Sequence, residues 1–254
     1  MLLEFKTKNY KSFVEEASFS MVAAPKQKGL DYSLMKTKIK GKEIKGLSSS
    51  VIYGPNAAGK TNIIGAMDVL RSIVLRGNIR NSEEKSSPNP AASALELIPN
   101  NNESEAKPVC FEIEFYEEDG EEHKFKIHYK LKIDLGTFLE EEYQRKILAE
   151  VLEVNGERVF ERREGLKVEN LKVIKDYLSD ITEQNAESIN EIAKNSLNQE
   201  ELFLTNGFKL IFSQKFTKLI VDWFANKFMV IYRADSMQLI KRFADPKKKA
   251  VYVE

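Results

Sequence analysis

Apolar and polar side chains alternate along the start of the chain: Leu3, Phe5 and Thr7, then Phe19, Met21 and Ala23. A period of two puts such residues on one face, which predicts strands over 2–13 and 17–24 joined as a hairpin around "YKSFVEEA". The lysine-rich stretch "PKQKGLDYSLMKTKIKGKEIKG" reads as a connection. Val51-Ile52-Tyr53 is a short apolar strand. From Thr61 to Leu75 the spacing turns helical, with Ile63, Ile64, Met67, Leu70 and Val74 on one side.

Residues 78–108 are rich in Asn, Ser, Pro and Glu and predict a mobile surface segment. Period two then returns with Phe111, Ile113 and Phe115, a turn at Asp119-Gly120, and Phe125, Ile127, Tyr129, Leu131 and Ile133 coming back. In "EVLEVNGERVFER" the pair Asn155-Gly156 tolerates the positive φ of a type I′ turn. A two-residue loop would pair Val154 with Glu157, Glu153 with Arg158 and Leu152 with Val159. From Val168 to Trp223 the period is helical, and "KFMVIYR" after it reads as a strand.

Composition narrows the chemistry. Of 254 residues 42% are hydrophobic and 31% charged, enough for a real core. No apolar run reaches the length that spans a bilayer, and "MLLEFKTKNYKSF" has no apolar signal region, so the expected location is cytoplasmic, with no membrane contact. Cys110 is the sole cysteine, and His123 and His128 are the two histidines, so metal chemistry would have to rest on carboxylates. The net charge of zero conceals +8 over 1–80, −14 over 81–205 and +6 over 206–254. The basic ends suit phosphate-bearing partners, while the acidic middle reads as a solvated face.

The sharpest chemistry is in "VIYGPNAAGKTN", residues 51–62. Gly54, Gly59, Lys60 and Thr61 satisfy G-x-x-x-x-G-K-[ST] between an apolar strand and an amphipathic helix, the setting that confirms the motif. The glycines let the backbone approach an anion closely. Amides from Asn56 to Thr61 then point at phosphate oxygens, aided by the helix dipole. Lys60 would reach the β- and γ-phosphates of ATP and the Thr61 hydroxyl would bind Mg²⁺, making these two the candidate catalytic residues. Gly54, Pro55, Asn56, Ala57, Ala58, Gly59 and Asn62 complete the predicted nucleotide site.

The wording "YGPNAAGKTNIIGAM", with "NYKSF" ahead of it, resembles the SMC/RecF/OLD-like branch of ABC-type ATPases, and most of all the AAA-family ATPases of abortive-infection and Rlo type in anti-phage systems. "PVCFEIEFYEEDG", "KILAEVLEVNGERVFERR" and "ELFLTNGFKLIFSQKFTKLIVDWFANKFMVI" follow in family order as looser matches. The resemblance implies an α/β P-loop fold: an ABC-ATPase-like N-terminal lobe with antiparallel hairpins over 1–165, and a mostly helical segment over 166–254 leading towards a second lobe. It implies ATP hydrolysis, and adds Lys11 as a basic residue that reaches the nucleotide. A homodimer, or another chain supplying the second lobe, a nuclease partner and DNA are the partners it implies.

The resemblance also implies a signature motif, a Walker B Asp-Glu after an apolar strand, and a switch histidine. Leu219-Ile220-Val221-Asp222 is followed by Trp223 where Glu is wanted, and fits a helix with Phe216, Leu219 and Trp223 inward. "MVIYRADS" separates its apolar run from Asp235, "NSLNQEE" lacks a glycine pair, and no histidine follows His128. The expectation is therefore a chain without its C-terminal lobe that associates through an apolar edge of a parallel sheet. The competing readings are an ATPase, a module that binds ATP–Mg²⁺ without hydrolysis, and a P-loop kinase using Arg162 and Arg163 as lid arginines.

Overall fold

A computed structural model describes residues 1–24, 29, 31–39, 41–80, 95–101, 106–120, 123–138, 140, 143–178, 191, 193–195 and 197–230. Its centre is a seven-stranded sheet: β1 (Leu2–Lys8), β2 (Ala17–Ser20), β5 (Val109–Glu118), β6 (Lys124–Asp134), β7 (Lys146–Val154), β8 (Glu157–Arg162) and β9 (Leu166–Val168). The spatial order is β2-β1-β5-β6-β7-β8-β9, and every described pair is antiparallel, not parallel. The alternating residues form the inner face: Phe5, Phe111, Ile113, Phe115, Ile127, Tyr129, Leu131 and Phe160 are all buried. Charged residues take the outer face, where Glu112 pairs with Lys130 and Glu114 with His128.

Two hairpins sharpen the sequence reading. The first is shorter than predicted, because Tyr10 and Phe13 close a tight turn that ends β1 at Lys8. In the second, Asn155 and Gly156 adopt φ of 55° and 84°, and Val154–Glu157 and Glu153–Arg158 pair as expected. Leu152 faces Phe160 instead of Val159, since a bulge inserts one residue there. The shift keeps the larger aromatic on the core side.

The lysine-rich connection holds a two-stranded sheet, β3 (Leu34–Ile39) with β4 (Lys42–Leu47), turned at Gly41 with φ 79°. The surface segment is also corrected in part: Leu95, Leu97 and Asn100 are buried, while residues 81–94 and 102–105 lie outside the described ones.

Helix α1 (Lys60–Arg76) lays Ile63, Met67, Leu70, Ile73 and Val74 on the core, with Ile64 half-buried. Left-handed Gly77 ends it, its amide reaching Ile73 O at 2.8 Å. Over 168–223 the helical period breaks into short pieces: a 3₁₀ stretch (Leu171–Tyr177), a π turn (Leu204–Phe208) running into one α-turn, α2 (Lys209–Ile211), then α3 (Gln214–Asp222) and a second π turn (Trp223–Lys227). The amides of Phe208, Ser213 and Phe228 donate to the carbonyls of Phe203, Phe208 and Trp223, each five residues back. In the first π turn the repeat brings Phe203 and Phe208 together onto Phe160 of β8, and in the second it stacks Phe228 on Trp223. "KFMVIYR" shows no strand at Phe228–Val230, and residues 231–254 lie outside the described ones. The architecture is mixed α/β, an antiparallel sheet with a few helices, consistent with the expected P-loop fold.

Candidate nucleotide-binding site

The predicted strand before the loop is not formed. Val51, Ile52 and Tyr53 have no regular structure, and Val51 and Tyr53 are 82% and 91% exposed. A three-residue strand depends on neighbours for its hydrogen bonds, and none of the described strands runs beside it.

The turn that follows has the backbone its sequence asks for. Gly59 is left-handed at φ 83° and passes straight into α1, and Ala57 is left-handed too at φ 63°. Asn62 N and Ile63 N donate to Gly59 O at 2.9 and 3.2 Å, closing the first helical turn. Among the described residues the amides of Gly59, Lys60 and Thr61 meet no backbone acceptor. These donors at a helix N-terminus are arranged to receive an anion. The Lys60 ammonium is folded over the turn, donating to Gly54 O at 2.7 Å and Pro55 O at 2.6 Å. Residues 54–58 and Thr61 are exposed, so the turn is open to a ligand.

A groove of about 380 Å³ runs along one side of the turn, lined by Phe13, Phe19, Val51, Tyr53, Lys60 and Ile63 among others, with no carboxylate among its described lining residues. Its far wall comes from the N-terminal hairpin. There Ser12 Oγ accepts a 2.7 Å hydrogen bond from Asn62 Nδ2, a contact that periodicity could not reveal. Lys11 is directed elsewhere: its ammonium pairs with Glu96 at 2.5 Å and lies 5.5 Å from the Tyr10 ring centre. The structure thus brings Ser12, not the Lys11 side chain, to the loop.

Leu219–Asp222 is helical, as its pattern predicts, and Trp223 is buried against Phe115. Asp235 lies outside the described residues. Arg162 is buried and donates to Glu201 O at 2.7 Å and to Asn198 O, while exposed Arg163 pairs with Glu161. Arg162 is therefore not available as a lid arginine, and it anchors Asn198 and Glu201 of "NSLNQEE". Sequence reading missed Glu150, which is wholly buried and accepts from Tyr129 Oη at 2.9 Å and from the amides of Phe203 and Leu204 at 2.6 and 2.9 Å. Burial raises its carboxyl above the ordinary range, against the pull of those donors.

No described cluster of His, Cys, Asp or Glu could hold a metal by itself. The donor set fits Mg²⁺ only in the P-loop manner: one hydroxyl, Thr61, at the second position of α1, with phosphate oxygens and water supplying the rest. No described helix is long and apolar enough to cross a membrane.

A glycine turn that opens a helix with unpaired amides, a lysine and a threonine defines a P-loop protein. Residues 49–226 match the family described as "AAA domain, putative AbiEii toxin, Type IV TA system", and the chain belongs to that family of AAA-domain nucleotide-binding ATPases. No curated protein matches it.

Proposed function

We propose that the chain binds ATP–Mg²⁺ at residues 54–62 and serves as the nucleotide-binding part of an SMC/RecF/OLD-like ATPase in an abortive-infection system. The observation that carries the reading is the pairing of unsatisfied amides at Gly59–Thr61 with a Lys60 ammonium parked on two carbonyls. Rotation of that side chain would turn its charge from the carbonyls towards a phosphate. The amides would hold the β-phosphate, Thr61 would hold Mg²⁺, and Gly59 would let the backbone come close. Magnesium would supply charge neutralisation at the phosphates.

Binding without turnover by this chain alone is the favoured form of the reading. Among the described residues, the groove beside the turn has no carboxylate to position a water. In this proposal that group comes from a second lobe or from a second copy of the chain. Val51–Tyr53, apolar and without strand neighbours among the described residues, is where further strands would add. Lys11, freed from Glu96, is the added basic contact of this proposal. A nuclease partner, DNA and a cytoplasmic setting belong to the same proposal.

Calorimetry of ATP into the protein with magnesium tests it. Wild type should bind and Lys60→Ala should bind far more weakly, with phosphate release by either no faster than buffer. No heat with folded wild type would sink the reading, and release abolished by Lys60→Ala would show a complete ATPase instead.

A further inference from the structure

We infer that Ser12 is a positioning residue of the nucleotide loop, acting through Asn62; this rests on the ATP-binding reading above. The two side chains meet at 2.7 Å although 50 residues separate them in sequence. Ser12 lies outside the residues that match the family.

The support behind Ser12 is rigid. Asn9 and Lys11 are both left-handed, at φ 53° and 47°. Outside glycine such backbone angles are uncommon, Asn tolerating them better than Lys, and they persist where the surroundings over-determine them. Here they do: Tyr10 and Phe13 exchange backbone bonds of 3.0 and 2.9 Å, and Lys11 N donates to Ile98 O at 3.0 Å. Asn100 Nδ2 donates to Lys11 O at 2.6 Å, and Asn9 Nδ2 to Lys107 O at 2.5 Å. The turn is therefore built to deliver Ser12 at one place.

That place is the start of α1. A Cβ added to Gly59 would lie 3.1 Å from both Ser12 Oγ and the Phe13 ring, so the turn covers the glycine from which the helix begins. Asn62 and Ile63 both donate to Gly59 O, which makes Asn62 part of the first helical turn. Holding its side chain fixes the rotation of that turn, and hence the direction of the Lys60 and Thr61 amides. Ser12 is exposed and Asn62 half-exposed, so the bond adds little to folding. Its effect belongs in affinity and local order.

Ser12→Ala removes the acceptor and Ser12→Thr keeps it. Calorimetry with ATP and magnesium should show S12A about three- to tenfold weaker than wild type, the loss of one hydrogen bond. S12T should stay within about twofold, and both should melt with wild type. Without nucleotide, the Asn62 and Ile63 amides should exchange faster in S12A and not in S12T. Wild-type affinity and exchange in S12A would overturn the inference, as would S12T behaving like S12A or a lowered melting temperature with unchanged affinity. Should wild type bind no ATP, the nucleotide reading falls and exchange alone decides the contact: faster exchange in S12A sustains it, unchanged exchange overturns it.

Discussion

Glu150 and Arg162 are cross-strand partners on the buried side of β7 and β8, yet their nearest charged atoms are 3.9 Å apart. Each spends its hydrogen bonds on the same stretch of chain: Arg162 on the carbonyls of Asn198 and Glu201, Glu150 on the amides of Phe203 and Leu204. The pair is a two-sided anchor for the chain that leads into the first π turn, not a simple ion pair. Removing one member strands the other charge in the core and frees that segment. Arg162→Leu should cost about 3–5 kcal/mol. Glu150→Gln should cost about 2–3 kcal/mol, because an amide NH₂ meets amide donors. Urea unfolding followed by circular dichroism measures both, and losses below 1 kcal/mol would sink the anchoring role.

Trp223 lies between two rings, 3.9 Å from Phe115 and 5.0 Å from Phe228, nearly parallel to each. Its Nε1 is buried with no acceptor among the described residues. Trp223→Ala empties this sandwich and should cost about 3–5 kcal/mol. Trp223→Phe loses volume but also removes an orphaned donor whose burial costs about 1–3 kcal/mol. Its net cost should stay below about 1.5 kcal/mol. Circular dichroism must report the unfolding, since this is the only tryptophan.

What the sequence discloses here follows from how local each cause is. Period two at Phe111–Phe115 and Phe125–Ile133 needs only one buried face, and both strands formed. Asn155-Gly156 carries its own backbone preference, but the bulge at Val159 answers to the core beyond the hairpin. The π turns were unreadable because an aromatic spacing of five, as in Phe203–Phe208 and Trp223–Phe228, satisfies no α-helical stripe. At the candidate site the motif residues declare themselves, whereas Ser12 reaches Asn62 only through tertiary packing. Val51–Tyr53 looks like a strand for sound local reasons, and fails for want of neighbours.

On the outer face, His128 bridges Glu112 and Glu153 at 2.7 and 3.1 Å. Its hydrogen bond, with help from Lys130 and Lys6 and against desolvation, draws the Glu112 carboxyl from 4.5 down to about 2. A lowered folded pKa stabilises above the unfolded value and is lost on acidification. The contribution should be whole above pH 4.5 and fade as pH falls towards about 2. Partial exposure of the cluster limits it to about 1–2 kcal/mol. Urea midpoints of wild type and Glu112→Gln should differ at pH 6, draw together below pH 4.5 and meet only as pH approaches about 2. A constant gap would remove Glu112 from the acid response.

Two glycines with nearly the same backbone separate strain from crowding. Gly59 and Gly156 have φ of 83° and 84°, but a Cβ at Gly156 meets nothing within 4 Å while one at Gly59 meets Phe13 and Ser12 at 3.1 Å. Gly156→Ala should therefore cost only the left-handed penalty, about 1 kcal/mol. Gly59→Ala adds displacement of the Phe13 ring and Ser12, and should cost about 2–3 kcal/mol. More tellingly, it must push the N-terminal turn away from α1, so ATP affinity should fall at least tenfold, while Gly156→Ala leaves affinity untouched. Equal losses of stability in the two variants, with ATP binding intact in both, would mean that the Asn9–Phe13 turn gives way freely and does not shape the cradle.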